Sequence, residues 1–322
     1  MLTVESAVDH LRRRDVIAGG GTATLLTGGV SGVVVLVTAG GRRLVVKQAL
    51  DRLSVATEWL AKPERVLTEA AALALLHEIT PAHTPELVDV DPGALVLTMT
   101  AAPPGWQPWK SVLLDEPPSG ARFAAVALSL GRILAAWHRQ TWGVPSVAER
   151  FADYEAFEQL RVAPFHRVVR DRHPALAPAI DACVDELTTA RECLVHGDFS
   201  PKNVLIGPDG PLWVLDFEVA HVGAAVFDLA FLECHLLLKA VHRPAAADAL
   251  RAAATAFLTG YGPVASTRLG WHTACLLLAR VDGKSTAGYL SAEERSRVRA
   301  LAVRALSAAS TPSIDDLWEA IR

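Results

Sequence analysis

The chain is poor in cysteine, and the few it has are far apart. Cys183, Cys193, Cys234 and Cys275 are the four cysteines in 322 residues. No CxxC pair exists, so neither a zinc knuckle nor a disulfide framework is expected. Four separate thiols suit the reducing cytoplasm. A basic excess is also missing. The 31 Lys and Arg against 35 Asp and Glu give a net charge of -4. That removes the positive field on which nucleic-acid binding depends. The first residues, "MLTVESAVDHLRRRD", are charged and amphipathic and lack the apolar centre of a signal peptide. Charges interrupt the Ala- and Leu-rich stretches before they reach spanning length, so no membrane helix is expected. No internal repeat occurs.

What is present is apolar bulk, 51% of the residues, enough for one large domain or two lobes. Residues 22 to 48 read as three strands with glycine turns at Gly28-Gly29 and Gly40-Gly41. "PERVLTEAAALALLHEI" has a proline start and a helical apolar period. "PELVDVDPGALVLTMT" reads as two further strands. Near "APPGWQPW" the composition shifts. Helical patterns follow over 121–139, 148–162, 174–190, 224–241, 245–260, 267–280 and 291–309. Only "VLIGPDGPLWVLDFE" interrupts them, as a short hairpin. The expected class is α+β, with a sheet-rich lobe over 1–100 and a helical lobe over 101–322.

Four stretches carry chemistry. In "LVHGDFSPKNVL" Asp198 and Asn203 sit between apolar runs. Phosphoryl transfer needs a carboxylate near the accepting hydroxyl and oxygen ligands for a metal. Asp198 supplies the first, and the Asn203 carbonyl is a hard oxygen suited to magnesium. A capped polar turn before a strand would use the same residues. In "LWVLDFEVAHVG" the carboxylates of Asp216 and Glu218 end an apolar strand on one side of an extended chain. They need a compensating cation, or else lie solvated at the strand end. "TGGVSGVVVLV" sets Gly28, Gly29, Ser31 and Gly32 in a turn whose backbone amides could face a phosphate. A plain hairpin turn has the same composition, and no Walker pattern follows. Lys47, in "LVVKQAL", sits inside an apolar strand and needs a partner, for which Glu69 on the next helix is the candidate. A snorkelling edge lysine is the alternative.

In this order, Lys47, Glu69, "HGDFSPKNVL" and "DFE" resemble the kinase-fold small-molecule phosphotransferases: the aminoglycoside phosphotransferase, choline kinase and methylthioribose kinase group. "AAWHRQ" and "FDLAFLECHLLLKA" extend the resemblance, which runs from about Thr22 to about Leu290. It implies a protein-kinase-like fold, a five-stranded antiparallel sheet with one helix hinged to a helical lobe. It implies ATP, or GTP, bound between the lobes with a hinge near Thr98 to Ala101, which includes Met99. It implies Asp198 as catalytic base, magnesium on Asn203 and Asp216 with Glu218 as a DxE variant, and Lys47 with Glu69 positioning phosphates. Asp228 resembles the aspartate that braces the catalytic loop. Ser200 stands where protein kinases carry a basic residue, which argues against a protein acceptor.

The expected acceptor is a hydroxyl of a small molecule, such as an aminoglycoside or another hydroxylated antibiotic. "DFE" and the segment "DRLSVATEWLAKPERVLTE" resemble methylthioribose kinases, so a sugar kinase of that type is the alternative. A non-catalytic nucleotide-binding protein is a third reading. Acceptor contacts are expected from the helical lobe, with Arg280, Asp282 and Lys284 as the densest uncommitted charges and Arg161 as a weaker candidate. Helix-end capping would explain the first three equally well.

Overall fold

The computed structural model describes residues 1–26, 32–50, 61–208 and 210–321. In chain order the first part holds α1 (Val4–Arg13), β1 (Thr22–Leu25), β2 (Gly32–Ala39), β3 (Arg42–Ala49), α2 (Arg65–Ile79), β4 (Leu87–Asp91) and β5 (Val96–Thr100). Next come β6 (Gln107–Pro108), α3 (Trp109–Asp115), α4 (Gly120–Thr141), α5 (Pro145–Arg150), α6 (Glu155–Phe157), a π-helix (Glu158–Arg167), α7 (Val168–Arg172) and α8 (Ala177–Thr189). The remainder is β7 (Cys193–Val195), β8 (Val204–Ile206), β9 (Leu212–Val214), β10 (His221–Gly223), α9 (Val226–His242), α10 (Ala247–Tyr261), α11 (Leu269–Asp282), α12 (Ala292–Leu306) and α13 (Ile314–Glu319). The chain divides into two units. One is Met1–Trp106 with Leu205–Ala220, and the other is Gln107–Val204 with His221–Arg322.

The first unit is built on an antiparallel sheet in the order β1-β2-β3-β5-β4. The β2–β3 turn is made by Gly40 and Gly41 at φ of 56° and 77°. A two-residue hairpin turn of matching twist needs positive φ at both positions, which glycine supplies without strain. Alternation along the strands then decides which side chain goes where. Val35, Val37, Leu44 and Val46 bury on one face against Ala7 and Leu11 of α1, with Leu2, Ile17 and Val96. Lys47, one step beyond Val46, therefore belongs to the opposite face. The helix α1 itself starts with a capping box between Thr3 and Ser6.

The second unit is helical. α9 is its centre: from Val226 to Val241 every residue except His235 is buried. A helix apolar on all sides can only sit inside. Three of its buried residues, Asp228, Glu233 and Lys239, are charged types. α4 and α10 cross at backbone distance, which two glycines permit. A Cβ on Gly131 would lie 2.1 Å from the Phe257 carbonyl oxygen, and one on Gly260 would lie 2.3 Å from that of Leu128. By length and composition α4 is the one described helix that could cross a membrane, yet half of its apolar window is buried inside the protein.

The helical patterns over 121–139, 174–190, 224–241, 245–260, 267–280 and 291–309 match helices to within a few residues. The expected helix over 148–162 does not form as one piece. It breaks after α5 and resumes as α6 and the π-helix, which runs to Arg167 with Pro164 inside it. Proline removes a donor from the ladder, and the wider π turn is where such an interruption is accommodated.

Gly131→Ala should force α4 and α10 apart and cost about 1–3 kcal/mol, the usual range for overpacking. Urea unfolding followed by tryptophan fluorescence measures this. An unchanged midpoint would mean that the helices separate freely.

Candidate active site

In the first unit Lys47 comes from β3, Glu69 from α2, and Asp216 and Glu218 from the stretch after β9. Lys47 is 6% exposed and Glu69 1%. The Lys47 ammonium lies 2.7 Å from a Glu69 oxygen, 2.5 Å from Asp216 Oδ1 and 4.0 Å from a Glu218 oxygen. Burial alone would pull the Lys47 pKa down, but the charges of Asp216, Glu69 and Glu218 outweigh it and hold the ammonium well above its ordinary value. Glu69 answers in the other direction. Burial pushes it up to about 7, and Asp216 and Glu218 add to the rise against the pull of Lys47. The expected Lys47–Glu69 pair is therefore present, inside a larger cluster.

Arg65, which sequence reasoning passed over, completes that cluster. It is 2% exposed, and its Nε donates to Glu218 at 3.0 Å. Its other nitrogens donate to the carbonyls of Leu50, Ala61 and Lys62. An arginine on the buried side of an apolar helix was the available signal. Among the described residues, three carboxylates thus face two cations. One oxygen each from Glu69, Asp216 and Glu218 fall within 4.8 Å of one another. These three donors are all hard oxygens, which suits a divalent cation such as magnesium. Asp216 has φ of 71°, unusual for a residue with a side chain and a mark of a functionally constrained backbone.

Of the other candidates in this unit, Gly32 starts β2 with no room for a side chain: a Cβ there would lie 2.7 Å from the Gln48 carbonyl oxygen. Met99 is buried in β5, paired with Val45 and Leu87. Gly28, Gly29 and Ser31 lie outside the described residues, as does most of the segment resembling the methylthioribose kinase insert.

In the second unit the residues of the expected catalytic loop follow β7. Asp198 is 3% exposed. Its Oδ2 receives Asn203 Nδ2 at 2.9 Å, Arg161 Nη2 at 3.0 Å and Lys202 Nζ at 2.8 Å. Asn203 Nδ2 also donates to the Asp198 carbonyl. Both bonds use the nitrogen end of the amide, so neither occupies the carbonyl end that a magnesium ion would take. The loop is held from beneath by Asp228, which accepts the backbone N–H groups of His196 at 2.7 Å and Gly197 at 2.9 Å. His138 Nε2 lies 3.2 Å from the same carboxylate. Burial would raise the Asp228 pKa, but the His138 bond, the His138 and His196 charges and the backbone bond win and keep it below its usual value.

The candidate acceptor residues do not gather as one group. Asp282 is bound by Arg299 at 2.6 and 2.8 Å and by His173 at 2.8 Å, a structural ion pair at the end of α11. Lys284 is exposed, and its backbone N–H bonds the Pro164 carbonyl. Arg280 turns to Ser285 and to the ring of Phe165. Arg161, the weaker candidate, is instead the residue in contact with Asp198. The π-helix places it there, with its Nε donating to the Gly197 carbonyl at 2.7 Å.

Asp228→Asn should leave one of the two loop N–H groups facing another donor, at a cost of about 1–3 kcal/mol. Hydrogen exchange at the His196 and Gly197 amides should accelerate in this variant. Exchange unchanged from wild type would show that the carboxylate is not what secures the loop.

With this geometry established, known proteins add a lineage. The pattern that defines the APH group, described as a phosphotransferase enzyme family, matches residues 22–266. A methylthioribose kinase of Cronobacter sakazakii (strain ATCC BAA-894) is 26% identical over 222 residues, 61% of this chain and 54% of that one. A hydroxylysine kinase of Danio rerio is 36% identical over 59 residues, 17% of each. The chain thus spans about half the length of the first of these relatives and less of the second. Among solved structures, spectinomycin phosphotransferase APH(9)-Ia, in complex with ADP and spectinomycin, has a TM-score of 0.52 at 13% identity, over 99% of this chain and 94% of that one. Choline kinase LicA from Streptococcus pneumoniae has a TM-score of 0.51 at 14% identity, over 94% and 98%. At such identities the likeness is one of fold, the kinase-like pairing of an antiparallel sheet with a large helical part. The family match covers most of the chain, from the first strand of the sheet to beyond α10, and the chain belongs to the APH phosphotransferase enzyme family.

Proposed function

We propose that the protein transfers the γ-phosphoryl group of ATP to a hydroxyl of a small molecule. The observation that carries this reading is the buried cluster of Lys47, Arg65, Glu69, Asp216 and Glu218, a lysine held among hard oxygen donors. Such a set suits a nucleotide triphosphate and its divalent ion better than it suits a purely structural ion pair. Lys47, oriented by Glu69, would contact phosphate oxygens. Asp216 and Glu218 would hold magnesium, which when bound neutralises charge on the phosphates; Asn203 is a further metal ligand that the resemblance implies. Gly28, Gly29, Ser31 and Gly32 are the proposed phosphate turn, and Met99 lies where the resemblance places the base. ADP in the spectinomycin phosphotransferase complex supports an adenine nucleotide.

Asp198 is the proposed base. Arg161, Lys202 and Asn203 all donate to its Oδ2, which favours the ionised carboxylate. The acceptor oxygen attacks the γ-phosphorus and a new O–P bond forms. The bond from that phosphorus to the β–γ bridging oxygen breaks, and ADP leaves with the electron pair. The hydroxyl proton passes to Asp198.

Asp198→Asn should lower turnover by about 10²- to 10⁴-fold, the usual worth of general-base catalysis, while ATP still binds. Mass detection of a phosphate adduct across a panel of hydroxyl compounds reads the first effect and calorimetry the second. Near-normal turnover in the variant would remove Asp198 from the mechanism. Asp216→Ala should abolish magnesium-dependent ATP affinity, with Glu218→Ala weakening it less. Unchanged Mg-ATP binding in Asp216→Ala would refute the metal assignment.

A further inference from the structure

Among the described residues, the second unit buries two cations, Lys239 and Arg280, that make no ion pair with a carboxylate. Lys239, on α9, is 1% exposed. Its ammonium makes one hydrogen bond, at 3.3 Å, to the His235 carbonyl of its own helix, and lies 5.7 Å from the ring centre of Tyr289. Arg280, on α11, bonds only Ser285, and its Nε is sealed from water without a partner. Among the described residues no carboxylate pairs with either. The buried hydroxyl of Tyr289, whose ring lies by Lys239, also has no hydrogen-bond partner. Lys47 in the first unit shows the contrast, since its burial is met by carboxylates.

These groups share one neighbourhood with Asp198. The guanidinium of Arg280 lies 6.0 Å from the centre of the Phe165 ring, and that of Arg161 lies 5.8 Å from the same ring and 5.5 Å from Phe231. Phe165 and Phe231 stack with their centres 6.1 Å apart. Arg161 in turn bonds Asp198. His235, one turn before Lys239 on α9, feels Lys239, Arg280, Lys202 and Lys110 together. Burial, with Lys110 and Arg280 adding to it, pushes Lys239 down to about 7, as expected of an ammonium without a counter-ion. Asp198 is the carboxylate whose charge acts on Arg280, but it makes no ion pair with it and is already shared by Arg161, Lys202 and Asn203.

We propose that the acceptor is a hydroxylated small molecule carrying an oxyanion, a carboxylate or a phosphate, and that Lys239 and Arg280 bind this group with the help of the Tyr289 hydroxyl. This rests on the phosphotransferase reading and narrows its substrate class. A buried, unpaired cation is costly, and a bound oxyanion would supply the charge and the acceptors that the protein withholds. Guanidinium and ammonium groups are the usual partners of such anions. An aminoglycoside, itself a polycation, would add charge of the same sign.

The test uses the full chain and acceptors built on one sugar scaffold: glucose as the neutral member, glucosamine as the cationic one, and gluconate and glucose 6-phosphate as the anionic ones. The expected result is turnover of an anionic member at least about tenfold above its neutral counterpart in kcat/KM. The preference between gluconate and glucose 6-phosphate then identifies the oxyanion. Lys239→Met should raise the acceptor KM by about tenfold or more and leave the KM for ATP unchanged. It should also raise the thermal midpoint, since it relieves a buried charge, whereas loss of a structural contact would lower it. Equal or better turnover of glucose or glucosamine overturns the proposal and leaves the phosphotransferase reading intact. If no member is turned over, inorganic phosphate decides. Thermal protection above a sodium chloride control, lost in Lys239→Met but kept in Lys47→Met, supports the oxyanion site, and no such protection overturns it. Failure to bind Mg-ATP while phosphate still protects would count against the phosphotransferase reading alone.

Discussion

The ammonium of Lys47 is the point around which the first unit is organised. It stands in a strand whose neighbours are apolar, on the face of the sheet that α1 does not cover. A charge in that position is tolerable only when matched. Glu69 and Asp216 match it directly. Glu218, drawn in behind them, brings the need for Arg65, which in turn gathers the carbonyls of Leu50, Ala61 and Lys62. One buried charge thus ties together a strand, a helix and the stretch after β9.

The second unit meets the same constraint twice, with different outcomes. Around Asp198 and Asp228 the carboxylates are fully engaged by loop amides, histidine, arginine and lysine. Low dielectric strengthens each of those bonds and makes the loop rigid. Around Lys239 and Arg280 there is no such match. Proteins retain uncompensated buried charge mainly where a ligand completes it. The contrast between a satisfied carboxylate and nearby cations without an ion-pair partner underlies the proposed division between Asp198 as base and Lys239 with Arg280 as acceptor-binding residues.

Much of this was legible in the chain itself. Strand and helix periods located the sheet, the glycine turn at Gly40-Gly41 and most of the helices, because those patterns reflect which face of each element is buried. Lys47 announced its need for a partner because a lysine inside "LVVKQAL" has no local one, and Glu69 was the nearest helical carboxylate. "HGDFSPKNVL" put Asp198 beside Asn203 within one loop, where short separation limits the geometry. The helix over 148–162 was misjudged because α5 ends at Arg150 and helix resumes only at Glu155, a break that the apolar period does not mark.

What the sequence by itself determined is therefore everything governed by near neighbours: element types, the catalytic loop, the acidic strand end, and membership of a phosphotransferase family through motifs of short spacing. Tertiary structure alone decided which charges meet. Asp282 and Arg280 lie two positions apart on one helix, yet Asp282 is neutralised by Arg299 and His173 while Arg280 joins a cation surplus with Lys239. Arg161, apparently minor in the sequence, lands on Asp198 because a π turn rotates it there. Coulomb energies depend on separation in space and on burial, and neither quantity is written in the spacing of residues along the chain.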